Sequence, residues 1–249
     1  MGKRKGKHMK DILKQVECNM DHLAENHVWW SCCATEEQMQ QAKSGNLVLT
    51  LGTSLPVPSE WLGDLRGKRV LCLAGAGGMQ ASLLAAAGAN VTVLDLSGKM
   101  LERDAHMAEK YGLSIRLEHG TMTDLARFAD ASFELIVNPA SLFYVPDVHP
   151  VFRECYRVLT MGGSLILAAP NPIAYVCEFV EDGGYYKAVN RMPYRSTEHP
   201  NQGDWVEYGH TMGDYLGGQL DCGFAIRGYQ EEQQEDITDL PFMTWAVKS

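Results

Sequence analysis

One stretch, Val70–Ser97 (VLCLAGAGGMQASLLAAAGANVTVLDLS), limits what this chain can fold into. Val70–Leu73 is a short apolar run that stops at Ala74-Gly75-Ala76-Gly77-Gly78. Side chains almost vanish there, so a ligand can approach the backbone. Met79–Ala87 is rich in Ala and Leu and suits a helix, which Gly88 ends at its left-handed position. Val91–Leu94 is β-branched and apolar again, with Asp95 at its tip. Strand, glycine-rich turn, helix and strand predict a parallel βαβ unit. An acid ending the second strand makes this a nucleoside-binding layout. The helix N-terminus faces the ligand, and the carboxylate accepts hydrogen bonds from ribose hydroxyls.

The rhythm continues downstream. Ser97 is a fair N-cap for a helix over Gly98–Tyr111, stopped by Gly112. Strands are expected at Leu113–Leu117, Phe133–Val137 and Ser164–Ala169. Between the last two, Pro150 opens a helix with Val151, Cys155, Val158 and Leu159 on one face, ended by Met161-Gly162-Gly163. His210–Leu220 reads as helical, and Phe224–Tyr229 and Phe242–Val247 as two further strands. The fold class is therefore α/β, a doubly wound, mostly parallel seven-stranded sheet. Residues 171–207 break the alternation with three prolines, Gly183-Gly184 and Tyr185-Tyr186, and read as a cap inserted over the carboxyl ends of the strands.

The first 68 residues read as a helical lid before a main domain at 69–249. Ile12, Val16, Met20 and Leu23 make one apolar helix face. Thr35 with Gln38 fits a capping box. Asn46–Leu55 alternates weakly and reads as extended. Trp29-Trp30 would pack the lid on the core or wall a ligand pocket. The first ten residues carry five basic and no acidic side chains and read as a disordered terminus or a non-native leader, with a nucleic-acid arm as the alternative, leaving 17 basic against 31 acidic residues, a net of −14, in the remainder. Such a body repels a phosphate backbone, which argues against nucleic acid as a partner. Seven cysteines without a repeating spacing fit reduced thiols and a cytoplasmic location. No apolar run is long enough to span a membrane. No Cys or His spacing suggests a metal.

Four motifs in order carry a resemblance: VLCLAGAGG (70–78), VTVLDLS (91–97), HGTMTDL (119–125) with FELIVNPAS (133–141), and FRECYRVLTMGGSLIL (152–167). With the tail YGHTMGDYLGGQLDCGFAIRGYQEE (208–232), they resemble the class I S-adenosylmethionine-dependent methyltransferases over about residues 67–249. The stretch from WWS to VPSEWLGDLRGKRVLCLAGAGG is similar to a bacterial small-molecule branch of that family. The resemblance implies a Rossmann-like fold, S-adenosylmethionine as cofactor and S-adenosylhomocysteine as product. It places Ala74, Gly75, Ala76, Gly77 and Gly78 around the methionine end, and Asp95 on the ribose. It places Leu96 and Met100 near the adenine, with Thr121, Met122 and Asp124 at its edge. Asn138 and Ser141 fall near the transferred methyl. The pattern departs at Cys72, Ala74 and Ala76, where the family prefers an acid and two glycines; the resemblance implies that the lost acid removes a partner for the cofactor's ammonium. Alanine resists positive φ, so the turn is expected to rely on Gly75, Gly77 and Gly78.

Methyl transfer is an in-line displacement at a sulfonium, so alignment supplies much of the acceleration, with a base needed only where the nucleophile must lose a proton. Candidates for that base are His149, His199, His210, Tyr144 and Tyr185-Tyr186, led by His210 and Tyr144. The expected partner is a small-molecule substrate, and the expected state a monomer or homodimer. A non-catalytic cofactor-binding or regulatory protein and an RNA methyltransferase remain the alternatives. A dinucleotide oxidoreductase would need the third glycine of G-x-G-x-x-G, which is missing after Gly75.

Overall fold

The computed structural model describes residues 2–26, 31–199, 203–232 and 241–249. Trp29 and Trp30 lie outside them, as does most of the acidic loop after Glu231.

The N-terminal part holds α1 (Gly2–Glu25), α2 (Glu36–Lys43) and α3 (Ser59–Leu62). The alternation β1 (Arg69–Leu73), α4 (Gln80–Ala86), β2 (Asn90–Asp95), α5 (Gly98–Tyr111), β3 (Ile115–His119) follows. Next come β4 (Phe133–Asn138), α6 (His149–Val158) and β5 (Leu159–Ala169). After α7 (Ile173–Val176), two hairpins pair β6 (Cys177–Val180) with β7 (Tyr185–Ala188) and β8 (Tyr194–His199) with β9 (Gly203–Gly209). The chain closes with α8 (Gly218–Asp221), β10 (Phe224–Glu231) and β11 (Phe242–Lys248). Seven strands form one sheet in the order β10-β11-β5-β4-β1-β2-β3. Only β11 runs antiparallel to its neighbours.

Both faces of the sheet are buried, and the period of two sorts the side chains between them. Leu71, Leu73, Ile136, Leu165 and Leu167 meet α6 through Phe152 and Cys155. Val70, Cys72, Val137, Ile166 and Ala168 meet Ala81 and Leu84 of α4 on the other face. Residues 47–65 join that second core through Leu49, Leu51, Trp61 and Leu65. They carry one isolated bridge, Thr50 to Pro56, in place of the expected extended segment.

Local chemistry sets the helix ends as expected. Thr35 and Gln38 form a full capping box on α2. The Ser97 hydroxyl accepts from Met100 N–H at 3.1 Å, and Gly112 ends α5 in the left-handed region. Three expectations fail. The basic head is not a disordered terminus but the first turns of α1. Met161-Gly162-Gly163 does not end a helix. Strand β5 already begins at Leu159, and the glycines form a bulge, so that Phe133 pairs with Leu159 but Leu135 with Ser164. The stretch His210–Leu220 is not one regular helix but a π-turn, Gly213–Gly217, running into α8. Three glycines weaken regular helix there, and Gly218 lets the Phe152 ring come within 2.9 Å of where a Cβ would stand.

Trp61 stacks on Trp245 with ring centroids 6.1 Å apart and closes over β10 at Gly228. A Cβ on Gly228 would fall 2.5 Å from Trp61 Cζ2. Gly228→Val should therefore lower the unfolding free energy by about 1–3 kcal/mol in urea titrations. Gly98→Ala, in open space at the start of α5, should leave it unchanged or raise it by up to about 1 kcal/mol. Equal stability of the Gly228→Val protein and the wild type would contradict this packing.

Candidate active site

The strand order reverses between β1 and β4, so the loops leaving their carboxyl ends diverge and open a crevice. A cavity of about 420 Å³ fills it. The first βαβ unit lines one half through Ala74, Ala76, Asp95, Leu96 and Met100, joined by Thr121 and Met122 after β3. Leu13, Val16 and Met20 of α1 complete this wall. Helix α1 is docked by its apolar face, buried against Leu96 and Tyr144. Polar contacts add to the docking. Ser97 Oγ donates to Asp21 at 2.5 Å, and His119 Nε2 lies 3.0 Å from Glu17.

The glycine-rich turn takes a different path from the expected one. Ala74 and Ala76 themselves adopt φ values of +58° and +56°, alongside Gly77 and Gly78. Two buried carboxyl groups flank this turn. Asp95 accepts from the backbone N–H of Ser97 at 2.8 Å, and the nearby N–H groups of Ala76 and Leu96 favour its charged form. Burial still pushes its pKa up to about 6. Asp104 of α5 is fully buried, and its Oδ1 accepts from Gly78 N–H at 2.8 Å. Its Oδ2 has no hydrogen-bond partner. Burial raises its pKa to about 8; the Gly78 bond opposes the rise and the charge of Asp95 adds to it. Gly75 faces Val93 and Asp104, Gly77 packs on Met100, and Gly78 is covered by Cys33. These three shape the turn without lining the cavity.

The other half lies beyond β4. Pro139, Ala140, Ser141, Phe143, Tyr144, Val145, Pro170 and Pro241 give it an apolar wall, with Gly52, Thr53 and Ser54 from the segment before α3. Glu232 at the end of β10, 6 % exposed, is its carboxylate. Asn138 stays behind the wall. Its Nδ2 donates to Leu73 O at 2.7 Å and Ser141 Oγ at 2.9 Å, tying the end of β1 to the loop after β4. Asp124 is exposed and caps its own turn through Ala126 N–H, outside the cavity.

The two leading base candidates fare differently. His210 is buried outside the cavity. Its Nε2 donates to Val145 O at 2.9 Å, with Leu142 O at 3.2 Å, and burial lowers its pKa. It pins the Leu142–Val145 turn and does not line the cavity. Tyr144 lines the cavity, but burial and then Glu207 hold its phenol far above the usual range, so it stays protonated. His149, the first residue of α6, pairs with Asp147, and Tyr185 is exposed on its hairpin. The His199 side chain lies outside the described residues. Trp61, engaged with Trp245, is not in the cavity wall.

Sequence reasoning missed Gln80, Asp104, Glu232 and residues 52–54. Asp104 alone carried a signal, since it stands four residues after Met100 and so on the same face of α5. Among the described residues no cluster of His, Cys, Asp or Glu could hold a metal ion, and no helix is long and apolar enough to cross a membrane.

A crevice at the switch point of a doubly wound sheet, with an acid ending β2, defines a nucleoside-binding Rossmann-like protein. Residues 71–167 match the family model described as a methyltransferase domain. A Bacillus subtilis (strain 168) protein named uncharacterized methyltransferase YbaJ is 37% identical over 228 residues, covering 88% of this chain and 89% of that one. Among solved structures, an S-adenosylmethionine dependent methyltransferase from Mesorhizobium loti aligns with a TM-score of 0.64 at 24% identity, over 76% of this chain and 94% of that one. The 1,6-didemethyltoxoflavin-N1-methyltransferase of Burkholderia thailandensis aligns with a TM-score of 0.61 at 16% identity, over 97% and 89%. The chain belongs to the methyltransferase family.

Because burial raises Asp104, the native state keeps a proton that the unfolded chain has already lost near pH 4. Stability should then be greatest below that pH range and fall as pH rises towards about 8. Asp104→Asn should flatten this fall by roughly 1–3 kcal/mol in denaturant titrations at pH 5 and pH 8. An unchanged slope would assign the titration to another group.

Proposed function

We propose that this chain transfers the methyl group of S-adenosylmethionine to a small, largely apolar molecule held beyond β4. The observation that carries this reading is one cavity spanning the switch point, with Asp95 in one half and an apolar wall with a single carboxylate, Glu232, in the other. Its volume is in the range of small-molecule sites. That the Burkholderia enzyme was solved with 1,6-didemethyltoxoflavin and S-adenosylhomocysteine bound supports a small acceptor on this fold. The acidic body supports it as well.

The residues present fit the cofactor. Asp95 accepts from the ribose hydroxyls, and Leu96, Met100 and Met122 give the adenine an apolar slot closed by Val16 and Met20 of α1. When bound, the cofactor supplies an electrophilic methyl on a positively charged sulfur. The chain supplies alignment and exclusion of water. Phe143, Pro139 and Pro170 hold a flat apolar acceptor, while Tyr144 as a neutral phenol orients it. Glu232 receives the proton of a hydroxyl or N–H nucleophile. A cytoplasmic location and a monomer or homodimer complete the proposal.

Asp95→Ala should weaken S-adenosylhomocysteine binding at least about tenfold by calorimetry. Wild-type affinity should fall as the pH drops below about 6, where Asp95 takes up a proton and loses an acceptor. Unchanged affinity in Asp95→Ala would displace the ribose from this site. With labelled S-adenosylmethionine and a panel of small aromatic hydroxyl and amine compounds, Glu232→Gln should lower kcat at least about tenfold. Cofactor affinity should stay within about twofold in that variant. Binding with no transfer to any compound would favour a cofactor-binding protein without catalysis.

A further inference from the structure

One polar atom in the cavity wall has no role in the contacts described so far. Gln80, the first residue of α4, is 2 % exposed and lines the cavity with Ala74 and Ala76. Its Nε2 donates to Thr50 O at 3.2 Å, and only the amide nitrogen can make that bond, so the orientation of the group is fixed. Its Oε1 is left buried with no hydrogen-bond partner. A buried acceptor in that state costs free energy that a bound donor would recover.

The neighbouring departure from the family pattern says which donor fits. Cys72 stands where the resemblance implies an acid near the cofactor's ammonium. It is fully buried among Val70 and Val93 and does not line the cavity. Asp95 and Glu232 are the charged groups lining the cavity among the described residues, the first at the ribose position and the second beyond β5. Gln80 follows the glycine-rich turn by two residues, at the end where that turn would meet the methionine portion. Asn138 Oδ1 also lacks a partner, but Asn138 is not in the cavity wall.

We infer that Gln80 Oε1 accepts a hydrogen bond from the α-ammonium of S-adenosylmethionine, in the role the missing acid would have filled. This rests on the cofactor reading above. The site would then hold the amino-acid end through a neutral amide, fixed from behind by the Thr50 carbonyl, and would select ligands that carry the amine.

Calorimetry on the full chain with three ligands tests the inference: S-adenosylhomocysteine, its analogue lacking the α-amine, and 5′-methylthioadenosine, which lacks the amino-acid portion. In the wild type, S-adenosylhomocysteine should bind about tenfold or more tighter than the analogue without the amine. In Gln80→Leu that difference should shrink to about twofold, while methylthioadenosine binds as in the wild type. Gln80→Met serves where the Leu variant does not fold, and the wild-type comparison needs no variant. Equal wild-type affinity for S-adenosylhomocysteine and its des-amino analogue would overturn the Gln80 assignment alone. An equal loss for all three ligands in the variant would also overturn it, by showing a purely structural residue. Failure of all three to bind the wild type would instead overturn the cofactor reading, and the inference with it.

Discussion

The turn between β1 and α4 depends on two buried carboxylates. Asp95 accepts from the N–H of Ser97 with those of Ala76 and Leu96 close by, and Asp104 accepts from that of Gly78. Each carboxylate thereby fixes a stretch of backbone that would otherwise be unsatisfied and mobile. Two alanines sit in the left-handed region at a cost of roughly 1–2 kcal/mol each, with Ala74 N–H tied to Leu94 O and Gly78 N–H to Asp104. The burial that makes these bonds strong also raises both pKa values, so the turn is tied to the protonation state of its own supports.

From that turn the rest of the site follows by topology. A parallel sheet that reverses its order between β1 and β4 leaves an opening at one end, and the chain fills its rim from distant places. Helix α1 packs against α5 and β9, latched by Asp21 on Ser97 and Glu17 on His119. Strand β9 packs against α1 and against the Leu142–Tyr144 turn. The half with Asp95 is thus roofed by the N-terminal helix, and the half beyond β4 by loops after β4, β5 and β10. Roof and floor belong to segments far apart in the chain, so either half can bind only when the whole fold is assembled.

Much of the fold was legible because its signals are local. The run Val70–Leu73, the turn and Val91–Leu94 read directly as a βαβ unit, and Ser97 and Gly112 marked both ends of α5. The start of β5 is hidden in the sequence because the glycines at 162–163 look like a helix stop, whereas their register turns them into a bulge. The candidate site was legible where a side chain sits at a strand end, as at Asp95, Leu96 and Ser141, all of which line the cavity. It was illegible where a residue's role depends on a partner distant in sequence. His210 looked like a base, yet its partners are carbonyls 65 and 68 residues away.

The sequence by itself determined the alternation of elements, the acid that ends β2 and the family of the chain, since period, capping and motif spacing are properties of neighbours along the backbone. Tertiary structure decided which polar groups face the cavity and which are consumed in holding it. Gln80 and Glu232 are unremarkable in their local sequence, and Asp104 shows there only its place on the Met100 face of α5; all three stand out by being buried. Burial is set by packing between elements, so only the assembled sheet with its roof could single them out.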